Sequence, residues 1–139
     1  MEHILVCLDS SPRAAKVLAT AKDLARRTGA KLRLFKAVGI PPEMPMDGFP
    51  IPNTDLTNIF VESAKKELHE QAETISPDML EGEDTAVANA WEGICREAKE
   101  HSCDLIVIGA HGYSLIERVL GTTPAKVVNH AESSVFVVR

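Results

Sequence analysis

The chain lacks an excess of positive charge. Its 15 Lys and Arg are outnumbered by 20 Asp and Glu, for a formal net charge of −5. A nucleic-acid groove or a site for an anionic membrane surface needs a positive face, so neither partner is expected. No apolar run approaches the roughly 18 to 20 residues that span a bilayer. Met1-Glu2-His3 leads straight into a short apolar segment rather than an export signal, which sets the expectation of a cytoplasmic protein. The three cysteines, Cys7, Cys95 and Cys103, form no C-x-x-C pair. Each sits beside apolar residues, so reduced and buried thiols are expected in place of a disulfide framework or a zinc site. No Gly-Lys-Ser/Thr occurs, which removes the P-loop, and no glycine fingerprint follows the first strand, which removes the dinucleotide motif. Internal repeats and low-complexity tracts are also missing.

What remains is an ordinary globular composition, 45% hydrophobic and 25% charged, in 139 residues. That length accommodates one domain, residues 1–139, with a core that needs no staples.

Ile4 to Leu8 is a continuous apolar run and reads as a strand covered on both faces. Ser11 is placed to cap the helix that follows, with Pro12 at its first position. That helix carries Ala14, Val17, Leu18, Ala21, Leu24 and Ala25 on one stripe and closes at Gly29. A second strand runs from Leu32 to Val38. Residues 39–54 hold five prolines and two glycines and are expected to lack regular structure, as binding loops and insertions do. Helix resumes near Asp55 with Leu56, Ile59, Phe60, Ala64, Leu68 and Ala72 as its apolar stripe, and stops near Ser76-Pro77. Thr85 to Ala88 is a weak third strand, and a helix with Trp91, Ile94, Cys95 and Ala98 follows. Asp104 to Gly109 is the clearest strand in the chain. After Thr122-Thr123-Pro124 a short helix is expected to present Ala125, Val128 and Ala131, before a last strand from Val135 to Val138. The alternation of strand and helix predicts an α/β fold, an open parallel five-stranded sheet with helices on both faces and right-handed crossovers.

In such sheets ligands bind beyond the carboxyl ends of the strands, where the strand order reverses. The first strand ends at Asp9, Ser10 and Ser11. The fourth ends at Gly109-Ala110-His111-Gly112, followed by Gly121-Thr122-Thr123 at a helix start. Glycines allow close backbone approach, and a helix N-terminus attracts an anion, so these loops together suggest a phosphate cradle. Thr123 before Pro124 is equally suited to a plain helix cap.

At these residues the chain resembles the universal stress protein family, over nearly its whole length. The resemblance is carried by Ile4 to Asp9, Asp104 to Gly112, Gly121-Thr122, Lys126 to Ala131 and Val135 to Val138. It implies a three-layer, Rossmann-like fold of the adenine nucleotide alpha-hydrolase type, with strand order 3-2-1-4-5. ATP-binding members of that family show Gly, two residues, Gly, nine residues, then Gly-Ser or Gly-Thr. Here the spacing after Gly112 is eight residues, to Gly121-Thr122. The resemblance places Asp9, with Ser10, by the ribose or adenine, and Ala37 and Val38 against the adenine. Gly109, His111, Gly112, Gly121, Thr122 and Thr123 would surround the ribose and phosphates. Ala88 stands where members often have glycine and would narrow the adenine side.

The function implied is a regulatory nucleotide-binding protein of the stress response that holds ATP, with or without Mg2+, or another adenine nucleotide. Ligand-dependent ordering of the Gly109 to Thr123 loop would alter a surface read by a protein partner. A dimeric interaction protein without nucleotide, and a slow ATP hydrolase, are the alternatives. No catalytic residue and no metal ligand are assigned. His3, His69, His101 and His130 show no paired metal spacing, and Glu43 and Asp47 have no evident partner. Arg118 and Lys126 are the cations nearest in sequence to the cradle, and Trp91 is assigned to the core. The last strand, apolar and at a sheet edge, is the expected homodimer contact through Val135 to Val138.

Overall fold

The computed structural model describes residues 1–39, 45–46, 49–50, 53–110 and 120–139. In chain order the elements are β1 (His3–Cys7), α1 (Ala14–Thr28), β2 (Lys31–Val38), β3 (Pro45–Met46), β4 (Phe49–Pro50), α2 (Asn53–Ala72), β5 (Leu80–Val87), α3 (Ala90–Glu100), β6 (Leu105–Gly109), α4 (Thr122–His130) and β7 (Ser134–Val138). Five strands form one sheet in the order β5-β2-β1-β6-β7, and every ladder in it is parallel. Counting only these five strands, that is the expected order 3-2-1-4-5.

Because side chains alternate across a strand, the apolar runs divide between two cores. Ile4 and Val6 of β1 join Leu32, Leu34 and Val107 beneath α1 and the second half of α2. Leu5 and Cys7 join Phe35, Ile106 and Ile108 beneath α3 and α4. Ile4, Leu5 and Val6 are all fully buried, which explains why β1 reads as a continuous apolar run. Each such side chain contributes about 1.5 to 3 kcal/mol of burial free energy.

The α1 stripe is buried at Ala14, Val17, Leu18, Ala21 and Ala25, and Gly29 closes the helix in the left-handed conformation. The helix begins two residues after Pro12, at Ala14. The Ser11 hydroxyl donates to Asp9 Oδ1 at 2.6 Å, and Ser11-Pro12-Arg13 form a turn leading into the helix. Ser11 Oγ still accepts a bond from the Arg13 N–H, at 3.3 Å.

Three expectations need correction. The segment expected to lack regular structure contains a two-stranded antiparallel pair, β3 with β4, and α2 already starts at Asn53. The apolar stripe of α2 is buried only from Ala64 onward, while Ile59 and Phe60 are exposed. Ala64, Leu68 and Ala72 repeat every four residues and share one helix face, and that face packs on the sheet only along the second half of the helix. In α4 the buried residues are Pro124 and Val127, not Val128, which is 47% exposed. Pro124 anchors the helix, and the residue three places on shares its face. The weak third strand is the eight-residue β5, and its polar residues mark it as the sheet's outer strand.

Replacing Ile106, fully buried in the centre of the sheet, by Ala should cost about 2 to 5 kcal/mol. Urea denaturation measures this, and a loss below about 1 kcal/mol would contradict the packing described.

Candidate functional site

The strand order reverses between β1 and β6, and the loops leaving those strands diverge to opposite faces of the sheet. A cavity of about 330 Å³ opens at this point. Its floor is Cys7, Leu8, Phe35 and Ile108, one wall is the start of α1, and another is the start of α4. Gly121 returns to the end of β6 because its N–H donates to Ala110 O at 2.8 Å, while Ala110 N–H is held by Val138 O at 2.8 Å. A side chain at position 121 would bring a Cβ within 3.2 Å of Ala110 O, so this close return favours glycine. The first turn of α4 therefore opens on the cavity, and no side chain among the described residues caps its backbone N–H groups.

Asp9, Ala37, Gly109, Gly121, Thr122 and Thr123 all line this cavity. Asp9 also shapes it, since its Oδ1 accepts both the Ser11 N–H, at 2.9 Å, and the Ser11 hydroxyl. Ser10 and Val38 line a neighbouring cavity between β2 and α2, with Ala37 shared between the two. There Ser10 Oγ accepts from Lys36 Nζ at 2.6 Å, and the buried Lys36 also pairs with Glu67 at 2.5 Å. His111 and Gly112 lie outside the described residues, as do Glu43, Asp47 and Arg118. Ala88 turns its methyl toward Gly93 and does not line the cavity; Ala90, at the start of α3, does.

Sequence reasoning missed Arg13. This residue lies off the apolar stripe of α1, yet it lines the cavity, and its Nη1 is buried without a hydrogen-bond partner among the described residues. The signal was its position four residues after Asp9, in the turn that starts α1 beside the carboxyl end of β1. Lys126 takes no part in the lining; its Nζ lies 5.7 Å from the Trp91 ring centroid. Trp91 is partly buried and stacks against His130 at 4.6 Å, closing the gap between α3 and α4.

Burial pushes the Cys7 thiol well above its ordinary range, and pushes Cys103 up to about 11. Among the described residues the polar groups lining the cavity are thus the Asp9 carboxylate, the Arg13 guanidinium, the hydroxyls of Ser11, Thr122 and Thr123, and a helix start. This set is suited to an anion-bearing ligand with an apolar flat end.

Comparison with known proteins gives one consistent answer. The family model described as the universal stress protein family matches residues 1–139. Universal stress protein A homolog 2 of Coxiella burnetii is 30% identical over 139 residues, covering 99% of this chain and 94% of that protein. The structure of universal stress protein UspA from Lactobacillus plantarum is similar at 30% identity with a TM-score of 0.78, covering 99% of this chain and 97% of that one. A universal stress protein from Archaeoglobus fulgidus, solved in complex with dAMP, is 25% identical with a TM-score of 0.68, covering 100% and 98% of the two chains.

Alkylation of the native protein at neutral pH should modify Cys95, which is only partly buried, before Cys7 or Cys103. Peptide mapping that found Cys7 labelled first would contradict the closed cavity floor.

Proposed function

The chain belongs to the universal stress protein family, and on that premise we propose that it binds an adenine nucleotide, with ATP as the expected ligand, in the cavity between β1 and β6. The observation that carries the reading is the convergence on one cavity, at the switch point, of the α4 N-terminus and the Arg13 guanidinium, whose Nη1 has no partner among the described residues. The phosphates would lie at Gly109, Gly121, Thr122 and Thr123, with His111 and Gly112 completing that side. Asp9 would face the ribose, and the adenine would lie against Ala37 and toward Val38, with Ser10 at the edge of the site. The dAMP complex of the Archaeoglobus fulgidus relative supports the ligand class. Among the described residues the lining includes no lysine and only one carboxylate, Asp9, a set better matched to holding a nucleotide for a regulatory role than to rapid phosphoryl transfer.

A second surface supports the homodimer. Among the described residues β7 pairs with β6 on one side only, and Phe136 on it is 41% exposed. An apolar edge strand of this kind invites the same strand of a second copy.

Denaturing the purified protein and chromatographing the supernatant should release adenine nucleotide, and calorimetry should detect Mg-ATP binding to the stripped protein. No released nucleotide and no heat at millimolar ATP would overturn the reading. Arg13→Gln should weaken ATP binding about ten- to a hundredfold, as loss of a charged hydrogen bond does, and leave adenosine binding unchanged. In light scattering the protein should be a dimer that Phe136→Lys dissociates; a monomeric wild type at micromolar concentration would contradict the β7 contact.

A further inference from the structure

At the opposite end of α3 from the nucleotide cavity, three side chains that could ligate a metal converge. Glu97 and His101 stand one turn apart, and Asp84 reaches them from β5. We propose that Asp84, Glu97 and His101 form a site for a divalent cation of the zinc class, held by two carboxylate oxygens and one imidazole nitrogen. This site is independent of the nucleotide reading.

The spacing matches that chemistry. His101 Nε2 lies 3.3 Å from Glu97 Oε1 and 3.7 Å from Asp84 Oδ2, and all three ligand atoms fall within 4.8 Å of one another. Bonds of about 2.0 to 2.1 Å in a tetrahedron place neighbouring ligands roughly 3.3 to 3.4 Å apart, so Glu97 and His101 already stand at that spacing and Asp84 would need to move in. Imidazole in the set favours zinc over calcium or magnesium, and the fourth position is left to water.

Glu97 supplies an independent reason to expect a cation. Its residue exposure is 8%, and its Oε1 is buried without a hydrogen bond among the described residues, although it points into the cluster at His101 and Arg33. A buried carboxylate oxygen left unpaired is costly and rare in folded proteins. The one guanidinium nearby does not meet the need. Arg33 Nη1 donates to Asp84 Oδ2 at 2.6 Å but stays 3.8 Å from Glu97 Oε1, beyond hydrogen-bond reach. Arg33 is the one permanently charged cation among the described residues at these two carboxylates, and the His101 imidazole is the other group that faces both. The C-terminal end of α3 adds the negative pole of the helix dipole.

Arg33 instead fits the role of an outer support. It crosses over Gly82, where a Cβ would lie 2.9 Å from its Nη1, so the absence of a side chain there leaves the guanidinium room to hold Asp84 in place. A search for paired histidines does not find this site, because its helical pair is Glu97 with His101 and its third member comes from another element.

Zinc titration of the chelator-stripped full-length protein, in competition with a chromophoric chelator, tests the proposal. One zinc per chain is expected, with binding weakened at least tenfold in His101→Ala and again in Asp84→Asn. His101 is a third exposed and Asp84 more so, and circular dichroism checks that each variant is folded. Cobalt should bind the wild type without a thiolate charge-transfer band. Absence of binding at micromolar zinc, unchanged affinity in both folded variants, or a thiolate band assigning the metal to Cys103 or its fellow cysteines would each overturn the proposal.

Discussion

The burial of β1 on both faces is the constraint on which the rest of the structure depends. Ile4, Leu5 and Val6 are sealed by neighbours in the sheet and by helices above and below it. A strand in that position cannot lie at an edge, so the chain must place β2 on one side of it and β6 on the other. That arrangement is the reversal of strand order. The cavity is its direct consequence, because α1 and α4, which follow β1 and β6, lie on opposite faces and no described residue fills the space between their starts.

The same geometry resolves an apparent contradiction in the charge. A protein with a net charge of −5 has no general attraction for anions. The start of α4 and the guanidinium of Arg13 place positive potential locally at the cavity. Backbone N–H groups carry no formal charge and do not enter a count of Lys and Arg, so a composition argument excludes polyanions while remaining silent about a small anion. At the other end of α3 the carboxylates of Asp84 and Glu97 face Arg33 and His101.

The legible elements were those with one strong period. The α1 stripe and the runs of β1 and β6 are local patterns, and they are found where the pattern puts them. β5 was under-read because its alternation is blurred by Gly82, Glu83 and Asp84, polar residues that this outer strand tolerates. In α4 a single residue of phase separated Val128 from Val127, and the buried Pro124 decided between them. Asp9, Ala37, Gly109, Gly121, Thr122 and Thr123 were singled out from loop positions at strand ends and from the family resemblance. Ser10 and Val38 were singled out with them but line the adjoining cavity, because neighbouring residues on a strand or turn point to different sides.

The sequence by itself determined the alternation of strands and helices, the two-sided burial of the central strands and the family resemblance, since each is written in local periodicity or in contiguous motifs. Only the tertiary structure decided that Arg13 faces a cavity, that Ala88 does not, and that Asp84, Glu97, His101 and Arg33 meet. Those outcomes depend on which residues distant in the chain arrive at the same place. The register of β2 against β5 and the packing of α3 across the sheet set that meeting, and neither leaves a periodic trace in the sequence.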